Sequence, residues 1–155
     1  MSEKVYIIGA GSTALGRFPE KSVKDLTREA VTLALTDAGA EFGDIESAWF
    51  SNTRQGMMEN QNTIRGQCAL RSMGFETIPI INVENACCSS STGLNQAFAA
   101  IKAGLCKVGL VVGAESDKAC VEAFWDIELV VATDDRHGLR PHQTSMYACN
   151  GCGFG

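Results

Sequence analysis

The sequence predicts an α/β domain: a mostly parallel sheet with helices on both of its faces. Three observations carry that prediction. Short strand-type runs recur at 5–8, 45–51, 78–83 and 108–112, the first, third and fourth of them rich in Val and Ile. Segments with helix-type patterning separate them, and Gly39, Gly74 and Gly104 stand where those segments end. The resulting order β-α-β-α-β-α-β joins each strand to the next by a helical crossover, which places neighbouring strands parallel.

Each element has its own justification. Val5-Tyr6-Ile7-Ile8 reads as a short buried strand, and the stretch GAGSTALGRFPEK as a loop with Pro19 in it. Ser22-Val23-Lys24-Asp25 has capping-box form, so a helix starts at Ser22. Leu26, Ala30, Leu33, Ala34 and Ala38 then give it one apolar face, and Gly39 ends it. IESAWFS (45–51) is the second strand, and SNTRQGMMENQN a polar loop. NTIRGQCALRSM (62–73) is a second helix, stopped by Gly74. IPIINV (78–83) is the third strand. Pro79 has no N–H for a ladder, which puts this strand at an edge or keeps its pairing off that position. Residues 87–103 form the third helix and VGLVV (108–112) the fourth strand. Beyond GAES (113–116) the character changes: a possible helix over 117–128, then a loop-like tail with Pro141 and three glycines from Gly151 on.

Composition bounds the function. A chain of 155 residues holds one domain with a real core. A net charge of −5, with no Lys/Arg cluster, argues against a nucleic-acid partner. No apolar run reaches the ~20 residues of a membrane span, and MSEKVYIIGAG is not a secretory leader. Seven scattered cysteines without an export signal predict reduced thiols and a cytoplasmic location.

The chemistry concentrates in VENACCSSSTG (83–93), between the third strand and the third helix. Ligands of parallel α/β sheets bind beyond the carboxyl ends of the strands, where Cys87 falls. A helix N-terminus presents unpaired N–H groups and partial positive charge, which favour thiolate over thiol. The same N–H groups can stabilise an oxyanion. Ser89, Ser90, Ser91 and Gly93 leave room for a substrate to reach the sulfur. By position alone a second reading stays open, in which Cys87 and Cys88 are small, inert core residues.

VENACCSSSTGLNQAFAAIKAG resembles the nucleophile segment of the thiolase superfamily. Other segments agree in order: IIGAGSTALGRF with that family's first strand and loop, QNTIRGQCALRSMG with its G-Q-N-x-x-R helix, and VVGAES with its strand-end G-x-E-S. Asn60 stands where glycine is usual in the second of these. The wording VENAC and GLNQAF resembles the sterol carrier protein 2, or lipid-transfer-like, acetyl-CoA acetyltransferase branch. The resemblance covers about residues 5–116. It implies the N-terminal half of a thiolase-like layered fold, with residues 1–116 carrying the nucleophile and residues 117–155 starting an inserted, irregular loop region.

The resemblance implies that Cys87 is the nucleophile and that Cys88 packs. The reaction implied is acyl transfer through a cysteine thioester, run as Claisen condensation or as thiolytic cleavage of a 3-ketoacyl-CoA. The coenzyme A thioester is then a substrate; no permanently bound cofactor and no metal are expected. The activating histidine and second cysteine of the family come from a C-terminal half that repeats the fold. This sequence lacks that half, and its histidines, His137 and His142, lie in the tail. Full turnover by this chain alone is therefore not expected. The partner expected is a second copy of the chain, paired through IPIINVE, or a protein supplying the missing half.

Rival readings attach to other residues. Gly9-Ala10-Gly11-Ser12-Thr13-Ala14 fits the dinucleotide pattern G-x-G-x-x-A. That fold needs a helix beginning inside the glycine loop, which Gly16 and Pro19 delay to Ser22; the bland reading is a tight strand-to-loop turn. His137, His142, Cys149 and Cys152 are zinc-type ligands, but a second CxxC is missing, and a plain tail explains them. Met57 and Met58 are candidates for an acyl pocket or for packing. Glu84 and Asn85 read as turn and capping residues, Arg65 as an interface or solvated charge, and Trp49 and Phe50 as core or interface bulk. The non-enzymatic alternative is an acyl-CoA-binding or structural half-subunit that needs a partner.

Overall fold

The structure, a computed structural model, describes residues 4–14, 16, 18–115 and 127–133. Strands β1 (Val5–Ser12), β2 (Ser47–Ser51), β3 (Ile80–Val83), β4 (Val108–Gly113) and β5 (Ile127–Thr133) form one sheet in the order β1-β5-β4-β2-β3. β4, β2 and β3 pair in parallel. β5 lies antiparallel between β1 and β4, so β1 runs the same way as β4 and the predicted direction holds for every predicted strand. β3 is an edge strand, and its pairing starts at Ile80, past Pro79, so both alternatives offered for that proline are met. The Pro79 carbonyl still serves the sheet, accepting from the Ala48 N–H at 3.0 Å.

Helices α1 (Val23–Ala38), α2 (Gln55–Glu59), α3 (Arg65–Arg71) and α4 (Ser89–Lys102) complete the described chain, with a short 3₁₀ turn at Phe42–Asp44. α1 begins and ends where its sequence signals stand. The Ser22 side chain accepts from the Asp25 N–H, the Asp25 carboxylate accepts from the Ser22 N–H, and Gly39 closes the helix at φ 63°. Alternating strand side chains divide the core. Phe50, Ala48, Leu110 and Val112 face α1 and α3 with Val31, Leu35 and Leu70. Trp49, Val83 and Val111 face α4 with Ala97 and Ile101. Trp49 and Phe50 are thus core bulk on opposite faces of the sheet, and helices cover both faces.

Three expectations need correction. β1 does not stop at Ile8. It continues through the glycines to Ser12, with a bulge between Ile7 and Gly9. A Cβ on Gly9 would lie 2.5 Å from the Ala34 carbonyl oxygen, and one on Gly11 2.3 Å from that of Ala30. The glycines are there because α1 packs directly onto this strand; they form neither a phosphate loop nor a turn. The polar loop after β2 contains the short helix α2. The segment expected to be irregular contributes β5, and its residues 127–128, read as the end of a helix, open that strand. The remainder of the tail, including His137, His142, Cys149 and Cys152, lies outside the described residues.

Candidate active site

β2, β3 and β4 end in register: Ser51 pairs with both Val83 and Gly113. Their carboxyl ends therefore open onto one place, a cleft of about 180 Å³ lined by Ser51 to Arg54, Ala86, Cys87, Ser89, Ser90 and Gly113 to Glu115. Cys87 lies on this cleft and is an exposed free thiol. The predicted placement beyond the third strand stands, but the helix begins later than expected. α4 starts at Ser89 with Cys88 as its N-cap, and Cys87 precedes the cap.

The delay comes from a tight turn. Ala86 adopts φ 47°, a left-handed conformation uncommon for a residue with a Cβ. Cys88 N–H donates to the Asn85 carbonyl at 3.0 Å and Ser89 N–H to that of Ala86 at 3.1 Å. The Ser89 hydroxyl accepts from the Asn85 N–H at 2.8 Å and donates to the Ala86 carbonyl at 2.7 Å. Glu84 accepts from the Ala86 N–H at 2.8 Å, and the Asn85 amide donates to Thr92 Oγ1 at 3.0 Å. Glu84 and Asn85 are therefore turn residues, although neither caps the helix.

A helix start leaves four N–H groups outside its own ladder. Those of Cys88 and Ser89 are spent inside the turn; the other two belong to Ser90 and Ser91. Ser90 lines the cleft beside Cys87. An acyl oxygen bound there would meet N–H donors and the positive end of the α4 dipole. Cys88, expected to pack, is instead exposed, at the N-cap of α4. Met57 is also exposed, outside both core and cleft.

The cleft wall carries a polar cluster whose hydrogen-bond partners the sequence does not show. Glu115, just past β4, accepts from the backbone N–H groups of Thr53 and Arg54, both at 2.9 Å, and from Asn52 Nδ2 at 3.2 Å. Burial pushes the Glu115 carboxyl up, while those two N–H groups and the Arg54 and Arg65 charges pull it back. Arg65, read earlier as an interface or solvated charge, donates from Nη1 to the carbonyls of Asn52 (2.9 Å) and Thr53 (3.1 Å) and to Asn52 Oδ1 (3.1 Å). The strand-end carboxylate in VVGAES was a visible signal, but its role depends on partners 61 to 63 residues away. Among the described residues no His/Cys/Asp/Glu cluster of three or more is arranged to hold a metal. Among them too, no helix is long and apolar enough to cross a membrane.

Comparison with known proteins agrees with this architecture. The family model for the thiolase N-terminal domain matches residues 5–121. Non-specific lipid-transfer protein-like 2 of Caenorhabditis elegans is 39% identical over 115 residues, covering 72% of this chain and 26% of that protein. Acetyl-CoA acetyltransferase of Methanocaldococcus jannaschii is 35% identical over 119 residues, covering 77% and 30%. Benzoylsuccinyl-CoA thiolase subunit BbsB of Thauera aromatica is 32% identical over 139 residues, covering 84% and 34%. The chain thus spans about a quarter to a third of these relatives' length.

Among solved structures, 3-oxoacyl-[acyl-carrier-protein] synthase III from Aquifex aeolicus superposes with a TM-score of 0.72 at 16% identity, covering 85% of this chain and 55% of that one. A chain of the Ltp2-ChsH2(DUF35) aldolase superposes with a TM-score of 0.61 at 22% identity, covering 76% and 29%. These two likenesses speak to the fold alone. With its N-terminal-domain model matched from residue 5 to residue 121, the chain belongs to the thiolase family.

Proposed function

We propose that this chain carries the acyl-accepting nucleophile of a thiolase-type acyltransferase, and that Cys87 is that nucleophile. The observation that carries the reading is the placement of an exposed thiol on the cleft at the carboxyl ends of β2, β3 and β4, immediately before α4. The Cys87 Sγ gives up its proton to water and attacks the carbonyl carbon of an acyl-CoA. The tetrahedral oxyanion draws on the N–H groups at the α4 start. The carbon–sulfur bond to coenzyme A then breaks, and its thiolate leaves and takes up a proton. The product is an acyl thioester on Cys87, open to a carbanion in the condensing direction. The names of relatives such as acetyl-CoA acetyltransferase and benzoylsuccinyl-CoA thiolase support a coenzyme A thioester as substrate.

The test is a pulse of acetyl-CoA followed by peptide mapping. A hydroxylamine-labile acetyl group on Cys87, absent from Cys87→Ser, is expected. Cys106 serves as the internal control: it is buried, and burial first and the Glu46 charge second push its thiol up, so it stays unmodified. Acetylation spread over Cys68, Cys88 and Cys106, or absent from Cys87, would sink the proposal.

A second reading has an observation of its own. Phe98 and Leu105, on and just past α4, are 45% and 80% exposed. A non-catalytic acyl-CoA-binding or structural subunit would cover such residues with a partner. The β3 edge offers a second copy a strand to pair with. Acetyl-CoA binding without acylation of Cys87, together with a dimeric mass in solution, would favour this reading.

A further inference from the structure

We infer that Thr53 and Glu115 are positioning residues that hold the Ala86–Cys87 peptide in its left-handed turn and so keep the Cys87 thiol on the cleft. The inference rests on the reading of Cys87 as the nucleophile. Its starting point is the backbone. Ala86 at φ 47° is held where a residue with a Cβ is disfavoured. The Ala86 carbonyl accepts from three donors. Ser89 N–H at 3.1 Å and Ser89 Oγ at 2.7 Å belong to the turn itself. The third, Thr53 Oγ1 at 3.3 Å, comes from the end of β2, and Thr53 Oγ1 also stands 3.3 Å from Ser89 Oγ. Thr53 supports the turn from outside, beside Ser51, whose Oγ donates to the Ser89 carbonyl at 3.1 Å.

Thr53 can act this way only if its own backbone is fixed, and two elements fix it. Glu115 Oε2 accepts from the Thr53 N–H and Oε1 from the Arg54 N–H, each at 2.9 Å. Arg65, on α3, grips the carbonyls of Asn52 and Thr53. The carboxylate therefore takes the donors of this short segment, and the guanidinium takes its acceptors. An amide at 115 would present an NH₂ to one of the two backbone donors and undo half of that grip. The path runs from the end of β4 to the end of β2, and from there to the peptide that carries Cys87.

The test uses the adjacent thiols as their own control. Cys87 and Cys88 are both exposed, so any general loosening of the chain alters both. The full chain is treated with substoichiometric iodoacetamide, and tandem mass spectrometry gives the Cys87-to-Cys88 labelling ratio. Wild type should label Cys87 in preference. Thr53→Val and Glu115→Gln should lower the ratio about fivefold, the factor that one hydrogen bond of ordinary net strength carries. Thr53→Ser, which keeps the hydroxyl, should restore it. The inference is overturned if wild type prefers Cys87 and neither Thr53→Val nor Glu115→Gln changes that preference. It is overturned equally if Thr53→Ser loses as much as Thr53→Val. A wild-type ratio at or below one would overturn the nucleophile reading, and the positioning roles with it.

Discussion

Replacing Gly66 by alanine should destabilise the fold and loosen the cleft together. Gly66 is the second residue of α3. A Cβ there would lie 2.5 Å from Phe50 Cβ and 2.9 Å from Ile80 Cγ2. Carbon atoms prefer about 3.5–4.0 Å, so α3 and the sheet would have to separate by about 1 Å. Phe50 is 1% exposed and has nowhere to retreat. Overpacking of this kind costs about 2 kcal/mol. The same shift draws Arg65 away from the carbonyls it holds at 2.9 and 3.1 Å, and the Gly66 N–H away from Asn82 Oδ1 at 2.7 Å. Those losses add about 2 kcal/mol. Against them stands the helix preference for alanine over glycine, at most about 1 kcal/mol. The steric term wins, with a net loss of about 3 kcal/mol. Urea unfolding at equilibrium, followed by tryptophan fluorescence, measures it, since Trp49 is buried in β2 next to Phe50. A variant within about 0.5 kcal/mol of wild type would refute the claim that α3 sits on β2 without slack.

Ser22→Ala removes the capping box of α1 and should cost about 1 kcal/mol, with Ser22→Asn close to wild type in the same thermal melt; equal melts for Ser22→Ala and wild type would count against the cap. Glu115 has its carboxyl raised by burial, so its protonated form favours folding: that contribution is full below the unfolded value and is lost as pH rises through the folded one. Wild type should therefore gain stability relative to Glu115→Gln as the pH of urea titrations falls from about 7 towards about 4, and a relative loss would mean that the N–H groups of Thr53 and Arg54 outweigh burial.

Local chemistry made much of this protein legible. Ser22, Asp25 and Gly39 mark the ends of α1 because caps are settled within a few residues. Pro79 limits the pairing of β3, which starts one residue later, because a missing N–H is a property of one residue. Gly9 and Gly11 were visible but misleading: a glycine shows that backbone must come close, and not what approaches it, here α1. β5 is not legible in the sequence because its strand character depends on lying between β4 and β1, and β1 stands at the opposite end of the described chain. The place of Cys87 between a strand and a helix is legible in the sequence, whereas the exposure of Cys88 goes with a turn at Ala86 that shifts the helix start.

The sequence by itself determined the chain order of β1 to β4 with α1, α3 and α4, the limits of α1, and the cysteine worth testing, because periodicity, capping and strand-end position are written over neighbouring residues. Tertiary structure decided the antiparallel insertion of β5 and the grip of Glu115 and Arg65 on the residues after β2. It also decided the support that Thr53 lends to the peptide before Cys87. Those features are contacts between groups remote in the chain, and their energies arise only once the fold has brought the partners within a hydrogen bond's length and out of water.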